Sequence, residues 1–338
     1  MKRRVALLLI VCLLLGGCAS GQSAPKQYTA TFLTLFDTVT TIVGPGETEE
    51  AFQAQAQQIH DALLYYHQLF DIYQQYEGIN NLKTVNDQAG VAPVTVDSAV
   101  IELLQDCKDY HGLTAGKVNV AMGSVLSLWH EARTDGLRDP RTARLPDSDR
   151  LAAAAEHMSI DDVIIDPEAS TVYLADPELR LDVGAVAKGW ATQRVAEQAP
   201  SGLLISVGGN VCATGPKNGD DRWIIGIQDP DGEGNLHTLY LNKGTVVTSG
   251  DYQRTYWVEE KQYHHIIDPD TQMPSEHWRS VSVICEDSGL ADALSTTLFL
   301  LPLEEGKALA TRCGVEVLWV DADKQEHSTS GLEALIRT

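Results

Sequence analysis

Apolar residues along this chain recur in two rhythms. From Phe52 to Phe70 the helical rhythm is clear: Phe52, Ala56, Ile59, Leu63, Tyr66 and Phe70 recur at alternating spacings of four and three, which lines one face of a helix. Thr48 is placed to cap that helix, and Glu49 and Glu50 suit its positive end. A second helix is expected from Ser98 to Tyr110, with Val100, Leu103, Leu104 and Cys107 on one face and Gly112 at its exit. An Ala-rich helix is expected over 151–157. GAVAKGWATQRVAEQA, SGLADALSTTLFLL and LEEGKALATRCG also read as helical.

The other rhythm is that of strands. YTATFLTLFDTVTTIVG (28–44) is rich in Thr, Phe, Val and Ile and reads as strand structure. DVIID, TVYLA and LRLDV are short β-like runs, and 202–285 is mainly strands punctuated by Gly, Asp and Pro, with VEVLWV as a closing strand. Helices thus mix with strands that read as largely antiparallel. The expected fold class is α/β in the broad sense, α+β-like. A doubly wound sheet is not expected, because no GxxxxGK[ST] and no strand-linked GxGxxG is present.

The first residues follow neither rhythm. Lys2, Arg3 and Arg4 precede the apolar run VALLLIVCLLL, and then comes Leu15-Gly16-Gly17-Cys18. The run is short for a membrane span and ends in small residues, the pattern of an export signal. LGGC resembles a bacterial lipobox, which implies a signal peptide over 1–17 and an acylated Cys18 (palmitate included) as the first mature residue. The expected location is extracytoplasmic, on the cell membrane through that lipid. Residues 18–27 then form a small, polar tether, and 28–338 the folded domain.

Composition narrows the partners. The 338 residues are 43% hydrophobic and carry a formal charge of −22, which disfavours nucleic acid. An anionic small ligand would need a local pocket or a metal. Cys107, Cys212, Cys285 and Cys313 are scattered without metal-ligand spacing and read as free thiols.

Four segments are dense in chemistry. In LDVGAVAKGW (181–190), Asp182 closes a strand, and Lys188 sits at a helix start where backbone N–H groups can meet an anion. LLISVGGN (203–210) places Gly208 and Gly209 after an apolar strand, suited either to a ligand or to a hairpin turn. TSGDYQRTYW (248–257) leads into YHHIIDPDTQMP (263–274). In a strand His264 and His265 would face opposite sides, so only one can enter a given pocket. Thr248, Ser249 and Tyr252 would make that pocket polar, and Asp268 would start a turn. In ADALSTTLFLL (291–301), Asp292 and Thr296 stack on one helical face and offer hard oxygen ligands of the kind Mg²⁺ takes; taken as an isolated pair, an N-terminal helix Asp and a Thr bonding back to a carbonyl is the simpler reading.

In this order and at these spacings the segments resemble the FAD:protein FMN transferase, or ApbE, family, from about Phe36 to Leu301. The resemblance implies phosphoryl transfer: a Ser or Thr hydroxyl of a target protein attacks the FMN phosphorus of FAD, and AMP leaves. It implies that Phe36, Lys117, Val118, Asn119, Asp182, Lys188, His265 and Ile266 lie at the FAD. It further implies that the Ala185 carbonyl, Asp292 and Thr296 hold Mg²⁺, and that His265 acts near the acceptor hydroxyl. FAD and a protein acceptor, a membrane or extracytoplasmic redox protein, are the implied partners. AGKVN (115–119) departs from the family's usual GGAFD, and Gln272 stands where a Gly is usual. Two rival functions remain: an extracytoplasmic FAD pyrophosphatase, and a lipoprotein that binds flavin or another solute without catalysis.

Overall fold

Antiparallel pairing organises the molecule. The computed structural model describes residues 25–232 and 234–337. The leader 1–17, Cys18 and most of the tether therefore lie outside the described residues. Eight strands form one sheet: β1 (Gln27–Phe32), β2 (Thr40–Pro45), β3 (Leu204–Val207), β4 (Asn210–Ala213), β5 (Gly244–Gly250), β6 (Ser280–Cys285), β7 (Glu316–Val320) and β8 (Glu326–Ser328). They lie side by side in chain order, each antiparallel to the next. The expected mixed fold with antiparallel strands is what the structure has.

Side-chain alternation gives this sheet two buried faces. Val247, Val283 and Val317 point one way and pack with Leu294, Leu298 and Phe299 of the helix Ser288–Leu300. Their neighbours Val246, Ile284 and Leu318 point the other way, onto a hairpin of Trp223–Gln228 and Asn235–Leu241. A long excursion between β2 and β3 carries the helices Glu49–Phe70, Ser98–Leu113 and Gly123–Arg138 and a small three-stranded sheet. Of the Glu49–Phe70 stripe, Phe52, Ala56, Ile59, Leu63 and Phe70 are buried as their spacing requires and Tyr66 is half-buried, and the Thr48 side chain accepts the Ala51 N–H. The helix Ala187–Gln198 returns the chain to the sheet and packs against Ser288–Leu300.

Several expectations shift. The run 28–44 is two strands, broken at Leu35–Asp37 where Phe36 and Asp37 take left-handed φ of 52° and 54°. LRLDV makes only an isolated bridge, Met122 to Arg180. The second helix continues through Gly112 to Leu113, and the reversal comes at Ala115 and Gly116. The Ala-rich helix is Ser148–Ala155, started by Asp147, whose side chain accepts two backbone N–H groups. All four cysteines in the described residues are free thiols.

Candidate active site

Where the excursion meets the sheet, a cleft of about 970 Å³ opens. Phe36, Lys117, Val118, Asn119, Asp182, Ala185, Lys188, His265, Ile266, Asp292 and Thr296 all line it. Residues spread over some 260 positions of sequence are thus brought to one place. Thr248 and Ser249 line it as well; Tyr252 does not, and its ring lies over Gly250.

At one end the helices Ala187–Gln198 and Ser288–Leu300 touch. The contact depends on Gly189: a β-carbon there would come within 2.2 Å of the Ser288 carbonyl oxygen and 2.4 Å of the Asp292 β-carbon. So close an approach lets the Gly189 N–H donate to Asp292 Oδ2 at 2.8 Å, with Lys188 Nζ 3.4 Å from the same oxygen. That N–H would ordinarily bond the carbonyl four residues back. Because it is diverted, the Ala185 carbonyl accepts no hydrogen bond among the described residues. Thr296 behaves likewise. Its neighbours Ser295 and Thr297 bond back to the Asp292 and Ala293 carbonyls, whereas the Thr296 hydroxyl makes no hydrogen bond among the described residues. A capped helix with a back-bonded threonine is therefore not what this end shows. One carboxylate, one carbonyl and one hydroxyl line the cleft with acceptor capacity to spare. No group of three or more His, Cys, Asp and Glu able to hold a metal occurs among the described residues. A cation here would rest on one carboxylate and neutral oxygens, a donor set suited to Mg²⁺ rather than Zn²⁺.

The two histidines are told apart by their bonds, not by strand alternation, since the preceding strand Lys261–Tyr263 ends before them. Both line the cleft. His264 has both ring nitrogens engaged: Nε2 with the Ser275 carbonyl at 2.8 Å, and Nδ1 with the Ile266 N–H at 3.2 Å. His265 has only Nδ1 engaged, with the Gln253 carbonyl at 3.1 Å. A ring nitrogen facing a carbonyl must carry the proton, so Nε2 of His265 holds the free lone pair. Burial, then the charges of Arg254 and His264, push the His265 pKa down to about 3, so the ring is neutral at physiological pH.

Other residues serve the walls. Asp182 accepts the Gly184 N–H at 2.8 Å, and burial raises its pKa. Gly208 and Gly209 have φ of 56° and 93° and close the two-residue hairpin from β3 to β4, so turn and cleft wall are the same feature. Lys117 holds Asp268 at 2.9 Å and Asp270 at 2.8 Å, so Asp268 does more than start its turn. Asn119 accepts the Ala121 N–H and donates to the Met158 carbonyl. Gln272 adopts φ 56°, which explains why a glycine suits that place; its amide offsets the strain by donating to the Pro269 and Asp270 carbonyls. Tyr73, His130, Arg133 and Arg254 also line the cleft. Arg254 lies within TSGDYQRTYW, the segment singled out in the sequence, though without a role of its own there; Tyr73, His130 and Arg133 escaped sequence reasoning because a polar residue on a half-exposed helix or loop carries no pattern of its own.

Cations, a carboxylate with spare acceptor capacity and a neutral imidazole equip this cleft to handle a phosphorylated substrate as an enzyme. The ApbE family model matches residues 33–319. The chain is 31% identical to the FAD:protein FMN transferase of Treponema pallidum, over 97% of this chain and 94% of that one. It is 31% identical to a Klebsiella pneumoniae protein of the same name, over 76% and 82%. The solved ApbE protein of Thermotoga maritima superposes with a TM-score of 0.83 at 26% identity, covering 93% of this chain and all of that one. The chain belongs to the ApbE family.

Proposed function

We propose that the chain transfers FMN from FAD to a Ser or Thr hydroxyl of a protein acceptor, with Mg²⁺, on the outer side of the membrane to which Cys18 anchors it. The carrying observation is the end of the cleft where Ala185, Asp292 and Thr296 keep acceptor capacity beside Lys188. Mg²⁺ bound by those three oxygens would supply charge neutralisation for a diphosphate. His265 Nε2 would take the proton as the acceptor oxygen forms its bond to the FMN phosphorus. The bond from that phosphorus to the bridging oxygen breaks, and AMP leaves with the electron pair. A base with a pKa of about 3 is weak, but that value reflects burial and cationic neighbours. A bound diphosphate offsets those charges and raises the basicity.

The test is incubation with FAD, Mg²⁺ and a candidate flavoprotein acceptor, read by in-gel flavin fluorescence and mass. Asp292→Asn keeps an acceptor for the Gly189 N–H while removing the charge. It is expected to abolish Mg²⁺-dependent transfer with the fold retained. Wild-type Mg²⁺-dependent transfer by this variant would place the metal elsewhere. Release of FMN and AMP without any acceptor would identify a hydrolase, and FAD retained unchanged with Mg²⁺ and acceptor present would identify a binding protein.

A further inference from the structure

Two arginines at the cleft remain without a task. Arg133 projects from the helix Gly123–Arg138, and Arg254 lies in the turn after β5. Arg133 Nη1 is 3.4 Å from the Arg254 carbonyl, and Arg254 Nη2 is 3.5 Å from the Phe36 carbonyl. Both contacts are long and leave most of each fork unused. The Arg133 Nε is buried without a partner. Neither guanidinium has a carboxylate within 4.0 Å among the described residues; Asp37 acts on Arg133, and Asp182 lies near enough to feel Arg254, only from beyond that distance. In a chain of charge −22, two neighbouring cations left unpaired are conspicuous. Burial and the charge of Arg254 hold the Arg133 pKa below its ordinary value, a cost that an anion between the forks would relieve. Backbone strain points to the same place, for Arg254 adopts φ 46° and Phe36 φ 52°.

We propose that Arg133 and Arg254 form a second anion subsite in the cleft, distinct from the Asp292 and Lys188 end, and that it grips a phosphate group of the nucleotide. The inference rests on the transfer reading only for the identity of that nucleotide. Arg254, Lys188 and His265 line the same cleft, and the imidazole feels the charge of both cations. A diphosphate reaching both would present one phosphorus to His265 with its charge held from two sides. The phosphate gripped by the arginines belongs either to the FMN half of the substrate or to the departing AMP.

The subsite is tested by binding alone, with no acceptor present. FAD, AMP and riboflavin are titrated against the full chain and against Arg133→Gln, Arg254→Gln and the double variant. FAD affinity is expected to fall at least about tenfold in each single variant, on the order of 1.4 kcal/mol, and further in the double. Riboflavin has no phosphate, and its affinity is expected to hold. AMP weakening in step with FAD assigns the subsite to the AMP phosphate; AMP unchanged while FAD weakens assigns it to the FMN phosphate. FAD affinity within about twofold of the parent in the double variant overturns the subsite. So does an equal loss for riboflavin, which marks a change of fold. Failure of the parent to transfer FMN while these binding differences persist would instead refute the transfer reading and leave the subsite standing.

Discussion

At the scale of single residues, the cleft is defined by which polar atoms are left without partners. His264 and His265 are neighbours of the same type, yet only His265 keeps a free ring nitrogen. His265→Asn is expected to slow transfer by on the order of 10²–10⁴, the usual range for a general base, while FAD still binds. His264→Asn is expected to act through the fold, because both its ring nitrogens hold backbone groups. Equal kinetic effects with equal stability would undo the distinction. The same ring gives a pH signature. Its pKa falls from the ordinary 6.5 to about 3 on folding, so between those values the unfolded chain binds a proton that the native state refuses. Stability is therefore full above about 6.5 and declines as pH falls toward 3. Denaturation series at pH 7 and at about pH 4.5 are expected to differ less in His265→Asn than in the parent; buried His264, whose pKa is also lowered, supplies a remainder. An unchanged difference would mean that His265 is protonated in the fold.

Elements were legible in proportion to how local their cause is. The spacing of Phe52, Ala56, Ile59, Leu63 and Phe70 sufficed for their helix, since one face of one segment determines it. In the run 28–44 β-propensity hid the turn at Leu35–Asp37, because the left-handed φ of Phe36 and Asp37 is imposed by surroundings that propensity cannot register. Site residues that share a helix, Asp292 and Thr296, could be paired by spacing. Arg133 and Arg254 could not, since the turn after β5 meets the helix Gly123–Arg138 only in the folded chain. The contact between the helices Ala187–Gln198 and Ser288–Leu300 is likewise invisible in either segment alone, and it turns on one hydrogen atom at Gly189. Gly189→Ala is expected to cost about 1–3 kcal/mol, the usual range for overpacking a close contact, because its β-carbon would strike Ser288 and Asp292. It should also reduce Mg²⁺-dependent transfer by displacing the carboxylate. Chemical denaturation and the transfer assay together check this. An alanine variant as stable and as active as the parent would show that the helices can separate without consequence.

At the scale of the whole molecule, charge bears on where the enzyme can work. An excess of 22 negative charges opposes adsorption to an anionic lipid surface. Among the described residues no helix is long and apolar enough to cross a membrane. Cys18, which lies outside the described residues, follows a basic and apolar leader, and lipid at this cysteine is the proposed means of holding the chain to a bilayer. Acyl chains contribute about 0.8 kcal/mol per buried CH₂ group, and two chains anchor stably where one does not. Electrostatic repulsion between the acidic chain and anionic lipid is small by comparison, because it decays within a Debye length of about 8 Å at physiological salt. Cys18→Ser is therefore expected to move the protein from the membrane fraction to the soluble fraction, or to stop its processing. Transfer by the purified folded domain should be unchanged, because the cleft residues all lie beyond residue 33. Fractionation with mass analysis of the N-terminus reads both outcomes. Continued membrane attachment of a processed Cys18→Ser chain would show that something other than a lipid at this cysteine holds it there.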